Sequence, residues 1–247
     1  MTTFHIITLF PDAFDSYLGE SILKRAIDDK KIKVKFYNPR DFAVSKGNKS
    51  GDKKKSAAMT YAERRVDNRP YGGGPGMVIE ALPVIKAIAK AIGKGRKGEK
   101  KREKKGKEGN AVAKIIFFSP GGKQLTNEYA DKIGKSYSDI VLVCGRYEGI
   151  DARVKKAFKM EDISVGPFVL TGGELPAMLV IDSVARRLPG VLGDINSLEE
   201  SRIASSDVYT RPEVFEYKGK KYRVPKILLS GDRAKIDEWK KGRNGKK

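Results

Sequence analysis

Three segments between Ile115 and Met178 share one pattern, in which a short apolar run is followed by glycine. They are IIFFSPGG (Ile115 to Gly122), IVLVCGRYEGID (Ile140 to Asp151) and ISVGPFVLTGGELPAM (Ile163 to Met178). Each apolar run is typical of a buried strand, and the glycine that follows it is expected to mark the end of that strand. In an open parallel sheet, loops at the carboxyl ends of adjacent strands converge on one crevice, where glycine lets the backbone approach a ligand closely. The three loops therefore predict one binding site.

Strand-like runs and helical spacing alternate along the first 192 residues. Strands are expected at the N-terminus and over Ile32–Tyr37, and apolar residues recur at helical spacing between them, from Pro11 to Lys31. Further helices are predicted over Leu82–Ile92, Gln124–Lys135, about Asp151–Phe158 and Glu174–Leu188. The alternation predicts an α/β domain with a parallel sheet over residues 1–192.

The character of the sequence changes near Gly193. Residues 193–208 are polar and rich in turn formers, which favours a linker or a substrate loop. Residues 209–247 are predicted to form a small, mainly helical C-terminal region with a hairpin over Val214–Val224 and a helix over Gly231–Lys241.

The chain is strongly basic, with 51 Lys and Arg against 31 Asp and Glu and a net charge of +20. Such a balance favours a polyanionic partner, most simply a nucleic acid, over a surface that is basic only for solubility. Much of the charge lies in two inserts, at about 45–65 and 93–110, which are candidates for phosphate contacts or plain solvated loops.

The chain has one cysteine and one histidine. Cys144 excludes an internal disulfide and lies in an apolar run, as expected of a buried residue in a reducing cytoplasm. His5 alternates with apolar neighbours and is predicted to be structural, so general-base chemistry falls to carboxylates. No apolar stretch is long enough to cross a bilayer, and we expect no membrane partner.

None of the glycine loops has the spacing of a dinucleotide or P-loop phosphate site. A ligand that is held by backbone from three loops, without a phosphate nest, fits an adenosine whose tail is not a polyphosphate. S-adenosylmethionine meets that description.

Longer motifs carry a family resemblance. They are LFPDAF (Leu9 to Phe14), NPRDF (Asn38 to Phe42), YGGGPGM (Tyr71 to Met77), LVCGRYEGID (Leu142 to Asp151), VLTGGELPAM (Val169 to Met178), IDSVARRLPGVLG (Ile181 to Gly193), YTRPEV (Tyr209 to Val214) and LLSGD (Leu228 to Asp232). In this order they resemble the bacterial tRNA (guanine-N1)-methyltransferase family (TrmD) of the SPOUT superfamily. The resemblance implies a parallel sheet with a C-terminal trefoil knot, a homodimer, and tRNA binding by the small C-terminal region 209–247. It also implies methyl transfer from S-adenosylmethionine to N1 of the guanosine immediately 3′ of the tRNA anticodon.

The resemblance also assigns a cofactor pocket to the three loops. The implied residues are Ser119, Pro120 and Gly122 in the first loop, Gly145, Tyr147 and Glu148 in the second, and Val165, Gly166, Pro167, Phe168, Val169, Leu170, Gly172, Gly173 and Pro176 in the third. Pro167 stands where the family often has Asp; it fixes φ and removes one amide donor. Glu148 is a candidate for the methionine end of the cofactor or for a magnesium ion, which stays unassigned because one carboxylate does not make a metal site.

Two catalytic roles follow from the chemistry of guanine. N1 carries a proton at neutral pH, so a base must remove it while a cation or hydrogen-bond donor stabilises the charge that develops on O6. Arg186 matches the arginine that the family places at the target base and is the candidate partner of O6; the alternative is a surface arginine at the end of a helix. The usual aspartate is replaced by Ser201, so we expect Glu200 to act as the base after a one-residue shift, with Glu199 as the alternative.

Two other functions stay open at this point. One is a SPOUT enzyme that methylates a different RNA position, which the family-specific motifs Tyr71 to Met77 and Tyr209 to Val214 disfavour. The other is a non-catalytic RNA-binding SPOUT protein that lost its aspartate, which the intact cofactor loops disfavour.

Overall fold

The structure is a computed structural model that describes residues 1–43, 64–93, 113–193 and 207–244. The chain divides into two compact units, Met1–Leu192 and Gly193–Lys247. Most of the two predicted basic inserts and most of the predicted linker 193–208 lie outside the described residues.

The first unit is built around a five-stranded sheet in which every neighbouring pair is parallel. Its strands are β1 (Thr2–Ile7), β2 (Ile32–Tyr37), β5 (Lys114–Gln124), β6 (Asp139–Val143) and β7 (Glu161–Ser164), in the order β2-β1-β6-β5-β7. A short antiparallel pair, β3 (Asp67–Asn68) and β4 (Val78–Ile79), lies apart from it. The predicted α/β fold with a parallel sheet is confirmed.

Alternating side chains of the central strands supply two hydrophobic cores, one on each face of the sheet. Phe4 and Ile6 of β1 belong to one core, and Ile7 belongs to the other. In β6, Leu142 and Val143 divide in the same way. Because successive side chains of a strand point to opposite faces, such apolar runs fit only a sheet that is covered on both sides.

Helices cover both faces. Those of the first unit are α1 (Asp15–Leu18), α2 (Ser21–Asp28), α3 (Ala81–Ala91), α4 (Asn127–Ser136), α5 (Arg153–Ala157) and α6 (Glu174–Ala185). The helical pattern over Pro11–Lys31 is interrupted after α1, where Gly19 caps the helix with its N–H on the Asp15 carbonyl. Helix α4 begins three residues later than predicted, because Gln124 still belongs to β5 and the Thr126 hydroxyl accepts from the Tyr129 N–H at 3.2 Å.

His5 and Cys144 are buried, as predicted. The His5 ring nitrogens lie 3.0 Å from the Tyr37 hydroxyl and 2.9 Å from Asp139 Oδ1, so both are satisfied. Cys144 is a free thiol in the core.

The described part of the second unit contains a hairpin and a helix. Strands β8 (Val214–Tyr217) and β9 (Lys220–Arg223) pair antiparallel, a 3-10 turn follows over Lys226–Leu229, and α7 spans Arg233–Asn244. The Tyr209 ring packs against Trp239 of α7 at 6.2 Å between centroids.

Candidate active site

A cavity of about 330 Å³ lies at the carboxyl ends of β5, β6 and β7, which are adjacent in the sheet. Its walls come from three chain segments, 117–120, 145–150 and 163–176. A cavity of this size with mostly apolar walls is typical of a small-molecule site. The structure therefore brings the three loops together, as the sequence pattern predicts.

Thirteen of the fifteen predicted cofactor residues line the cavity. They are Ser119, Pro120, Gly145, Tyr147, Glu148, Val165, Gly166, Phe168, Val169, Leu170, Gly172, Gly173 and Pro176. Gly122 and Pro167 do not line it; Gly122 packs against β7 and Pro167 is exposed on the third loop. Their roles in binding, like those of the other thirteen, stay predictions.

The first glycine segment does not end its strand, contrary to the sequence expectation. Phe118 and Lys123 both lie opposite Ile163, so residues 119–122 form a bulge within β5, and pairing with β7 resumes afterwards. Gly122 allows this return, because a Cβ there would lie 2.6 Å from the Asp162 carbonyl carbon. A bulge of this kind turns backbone toward a site without ending the strand.

The two glycines of the bulge offer a matched test. We expect Gly122→Ala to weaken S-adenosylmethionine binding at least about tenfold, because backbone must move where the chain re-pairs with β7. Gly121→Ala should leave the dissociation constant within about twofold, because a Cβ there meets nothing within 4 Å. Calorimetric titration of both variants measures the difference, and equal dissociation constants would contradict this account of the bulge.

A buried carboxylate lies beneath the second and third loops, and the sequence analysis missed it. Glu174, the first residue of α6, is 3% exposed, and its Oε1 accepts from the Thr8 hydroxyl at 2.7 Å. Its Oε2 lies 2.9 Å from Arg146 Nε, and the Arg146 guanidinium lies 4.7 Å from the centroid of the Phe10 ring. Arg146 and Glu174 lie in the GRYEG and TGGEL motifs, so their sequence context could have identified them as candidates.

Close backbone packing joins the second and third loops. The Gly173 N–H donates to the Gly145 carbonyl at 2.9 Å, and Arg146 forms an isolated bridge with Gly172. A Cβ at Gly173 would lie 2.6 Å from Cys144 Cα. Glycine is therefore required here by the approach of two backbone segments.

The surroundings of Cys144 keep its thiol protonated and therefore unreactive. Burial raises the pKa of the Cys144 thiol well above its usual range, and the Glu174 carboxylate raises it further. The thiol is neutral at physiological pH, and it acts as a packed core group.

The glycine-rich segment Tyr71 to Met77 contacts the second loop. The Glu148 N–H donates to the Met77 carbonyl at 2.9 Å. A Cβ at Gly76, which has φ +82°, would lie 2.5 Å from Glu148 Oε1. This segment therefore fixes where the Glu148 carboxylate lies. The neighbouring residue Tyr147 has a left-handed φ of 60°, which is a strained conformation for a bulky residue.

Arg186, the predicted partner of O6, does not line the cavity. Arg186 follows the last residue of α6, whereas Gly173 and Pro176 at the start of that helix line the cavity. Within the described part of the chain, the Arg186 guanidinium makes no hydrogen bond or ion pair, while Arg187 Nη1 donates to the Ser183 carbonyl of its own helix at 2.6 Å. Glu199, Glu200 and Ser201 lie outside the described residues.

No group of three or more Asp, Glu, His or Cys side chains that could hold a metal ion occurs within residues 1–43, 64–93, 113–193 and 207–244. Glu148 belongs to no such group among these residues, and we assign no residue to magnesium. Over the same ranges, no helix has both the length and the apolar character needed to span a membrane.

Comparison with known proteins gives consistent matches. The sequence model of the family "tRNA (Guanine-1)-methyltransferase TrmD" matches residues 2–247. A tRNA (guanine-N(1)-)-methyltransferase of Dechloromonas aromatica is 41% identical over 244 residues, which are 97% of this chain and 84% of the relative. One of Clostridioides difficile is 38% identical over 96% of this chain and 90% of the relative.

A solved structure agrees with these matches. The crystal structure of the tRNA (m1G37) methyltransferase from Aquifex aeolicus superposes with a TM-score of 0.68 at 33% identity. The superposition covers 98% of this chain and 89% of that one.

Proposed function

Since the chain belongs to the tRNA (guanine-1)-methyltransferase family TrmD, we propose that it transfers a methyl group from S-adenosylmethionine to N1 of the guanosine immediately 3′ of the tRNA anticodon. One observation supports the proposal most strongly: the three glycine loops, two of which lie in family motifs, surround one cavity. The family-specific motifs disfavour a differently targeted enzyme, and the intact cofactor loops disfavour a non-catalytic RNA-binding protein, although Ser201 replaces the usual aspartate.

The cavity fits such a methyl donor. Apolar walls suit an adenine ring, and a few polar groups, among them Ser119, Tyr147 and Glu148, fix orientation. Glycine lets the loops around the cavity pack closely on the rest of the chain, since side chains at Gly166, Gly172 or Gly173 would collide with neighbouring protein atoms. The donor supplies an electrophilic methyl on a sulfonium, and the task of the chain is to hold N1 in line with it.

Proton removal from N1 belongs to a carboxylate in the segment after the VLG turn. We assign it to Glu200, with Glu199 as the alternative, because serine at position 201 does not accept a proton at neutral pH unaided. Arg186 stabilises the negative charge that develops on O6. Its guanidinium is available for this, because it is not engaged by the described residues.

The position of Arg186 supports a homodimer. Helix α6 has 12 residues and is therefore about 18 Å long, and it separates Arg186 from the end that lines the cavity. We propose that a second copy of the chain brings its Arg186 to this cavity. We also propose the trefoil knot and a cytoplasmic location; the family motifs support the first, and the single buried thiol fits the second.

The function is tested with unmodified tRNA transcripts and isotopically labelled S-adenosylmethionine, followed by nucleoside analysis. We expect labelled 1-methylguanosine with the natural transcript, and none with a transcript whose guanosine 3′ of the anticodon is replaced by adenosine. Label in any other nucleoside would identify a differently targeted enzyme. Absence of label would identify a non-catalytic protein.

The assignment of the base has its own test. Glu200→Gln should lower the single-turnover methylation rate at least about 100-fold, because a general base contributes factors of this size. Glu199→Gln is the matched control and should remain within a few fold of the parent. The reverse result would transfer the role to Glu199, and two near-parental rates would contradict a glutamate base.

A further inference from the structure

The β8–β9 hairpin exposes three aromatic rings on one face. Phe215 and Tyr222 lie directly opposite each other, and their rings stack at 5.2 Å between centroids with an angle of 12°. Tyr217, two residues beyond Phe215 on the same face, completes the row. The exposed fractions are 54% for Phe215, 59% for Tyr217 and 41% for Tyr222, so about half of each ring is open to solvent.

Lysines border the same rings. Lys220 Nζ lies 5.7 Å from the centroid of the Tyr222 ring, and Lys218 Nζ lies 5.4 Å from that of Tyr217. The opposite face carries Glu216 paired with Lys221. The hairpin thus has an aromatic face with ammonium groups at its edge, and a polar face behind it.

The turn holds this arrangement in place. Lys218 and Gly219 link the strands with φ values of 52° and 72°, the left-handed conformation of a two-residue type I′ hairpin. Such a turn fixes the register and sets Phe215 opposite Tyr222. The aromatic face is therefore formed before any ligand arrives.

An unpaired nucleotide is the ligand that fits this face best. Aromatic side chains stack on the bases of single-stranded nucleic acid, and neighbouring cations contact its phosphates. Residues 213–224 contain four basic and two acidic residues, in a chain of net charge +20, which matches a polyanion. A duplex does not offer base faces to such a surface, because its bases are already stacked.

We propose that the aromatic face of the β8–β9 hairpin, formed by Phe215, Tyr217 and Tyr222, binds an unpaired nucleotide of RNA by stacking. The proposal rests on the proposed function in one respect, since it takes that RNA to be the tRNA substrate. It adds a contact that is made by stacking and is independent of the methyl donor.

The test measures RNA binding without the methyl donor. Fluorescence anisotropy with labelled oligouridine should show that Phe215→Leu with Tyr222→Leu weakens binding about tenfold or more, the usual effect of losing aromatic stacking on a base. Binding of an RNA duplex of equal length should stay within about twofold, because phosphate contacts remain. Phe215→Trp should retain oligouridine binding, which separates loss of stacking from loss of the hairpin.

Two lysines give a matched pair of charge variants. Lys220→Gln removes a cation from the aromatic face, and Lys221→Gln removes one from the opposite face of the same strand. Lys220→Gln should reduce the slope of log affinity for oligouridine against log salt concentration by about the value of one phosphate contact. Lys221→Gln should leave that slope nearly unchanged.

Equal losses with oligouridine and duplex, or no loss with the leucine variant, would overturn the proposal. A changed oligomeric state together with unchanged RNA affinity would also overturn it, and would assign the face to a second copy of the chain. Because neither ligand requires methyl transfer, the result is independent of the nucleoside analysis that tests the proposed function.

Discussion

A heterodimer of one Arg186→Ala chain and one Gly173→Val chain should methylate tRNA at about half the parental rate per dimer, although neither variant works as a homodimer. Arg186→Ala should lower the rate at least about 100-fold, because it removes the group that stabilises charge on O6. Gly173→Val should abolish donor binding, since a Cβ at this position would lie 2.6 Å from Cys144 Cα.

The reason is the distance along α6 between the cavity and Arg186. If each site combines the cavity of one protomer with Arg186 of its partner, the heterodimer contains one intact site and one site with both defects. If both elements act within one protomer, each of the two sites has one defect and the heterodimer is inactive. A site shared between protomers therefore predicts half the parental activity for the heterodimer, and a site within one protomer predicts none.

The heterodimer is obtained by co-expression with two different affinity tags and sequential purification, and rates are measured in single turnover. Thermal unfolding checks that both chains are folded. Leu170→Arg can replace Gly173→Val as the cavity variant, because Leu170 is only half-buried on the cavity wall. An inactive, folded heterodimer with either variant would contradict the shared site.

Glu174→Ala should lower the free energy of unfolding by about 3 kcal/mol, because it leaves the partly buried Arg146 cation without its partner. It also removes the acceptor of the Thr8 hydroxyl. Since Arg146 lines the cavity and bridges to Gly172, donor affinity should fall with stability. Urea unfolding at neutral pH and calorimetric titration measure the two effects.

A surface ion pair provides the control for this change. Lys135 and Asp131 lie 2.6 Å apart at the surface of α4, and Asp131→Ala should cost less than about 0.5 kcal/mol. The loss in the free energy of unfolding for Glu174→Gln should lie between those of Glu174→Ala and Asp131→Ala. The amide oxygen of the Gln variant still accepts from the Thr8 hydroxyl, but the charge is lost. An Ala variant at position 174 that is as stable as Asp131→Ala would show that the buried pair contributes nothing.

The arrangement of the cavity could be predicted from sequence, because it depends on short-range patterns. Buried parallel strands have a distinctive apolar signature, and glycine after such strands marks backbone that approaches a ligand. The pattern does not show which strands are neighbours, and the structure supplies the order β6, β5, β7. That order brings Ser119, Gly145 and Gly172 to one cavity.

Other features depend on contacts between distant residues, which a single sequence does not display. Gly122 appeared to end a strand, and only its packing on Asp162 shows that it continues one. Glu174 was predicted only as the start of a helix, and its hydrogen bond to Thr8 joins residues that are 166 positions apart. The separation of Arg186 from the cavity required the bounds of α6.

Calorimetric titration of S-adenosylmethionine into the intact protein tests the central claim most directly, which is that the three glycine loops form the site of the methyl donor. We predict saturable binding with one donor per cavity, retained in Gly121→Ala and lost in Gly173→Val. Absence of binding heat in the folded parent, or unchanged affinity in folded Gly173→Val, would contradict it.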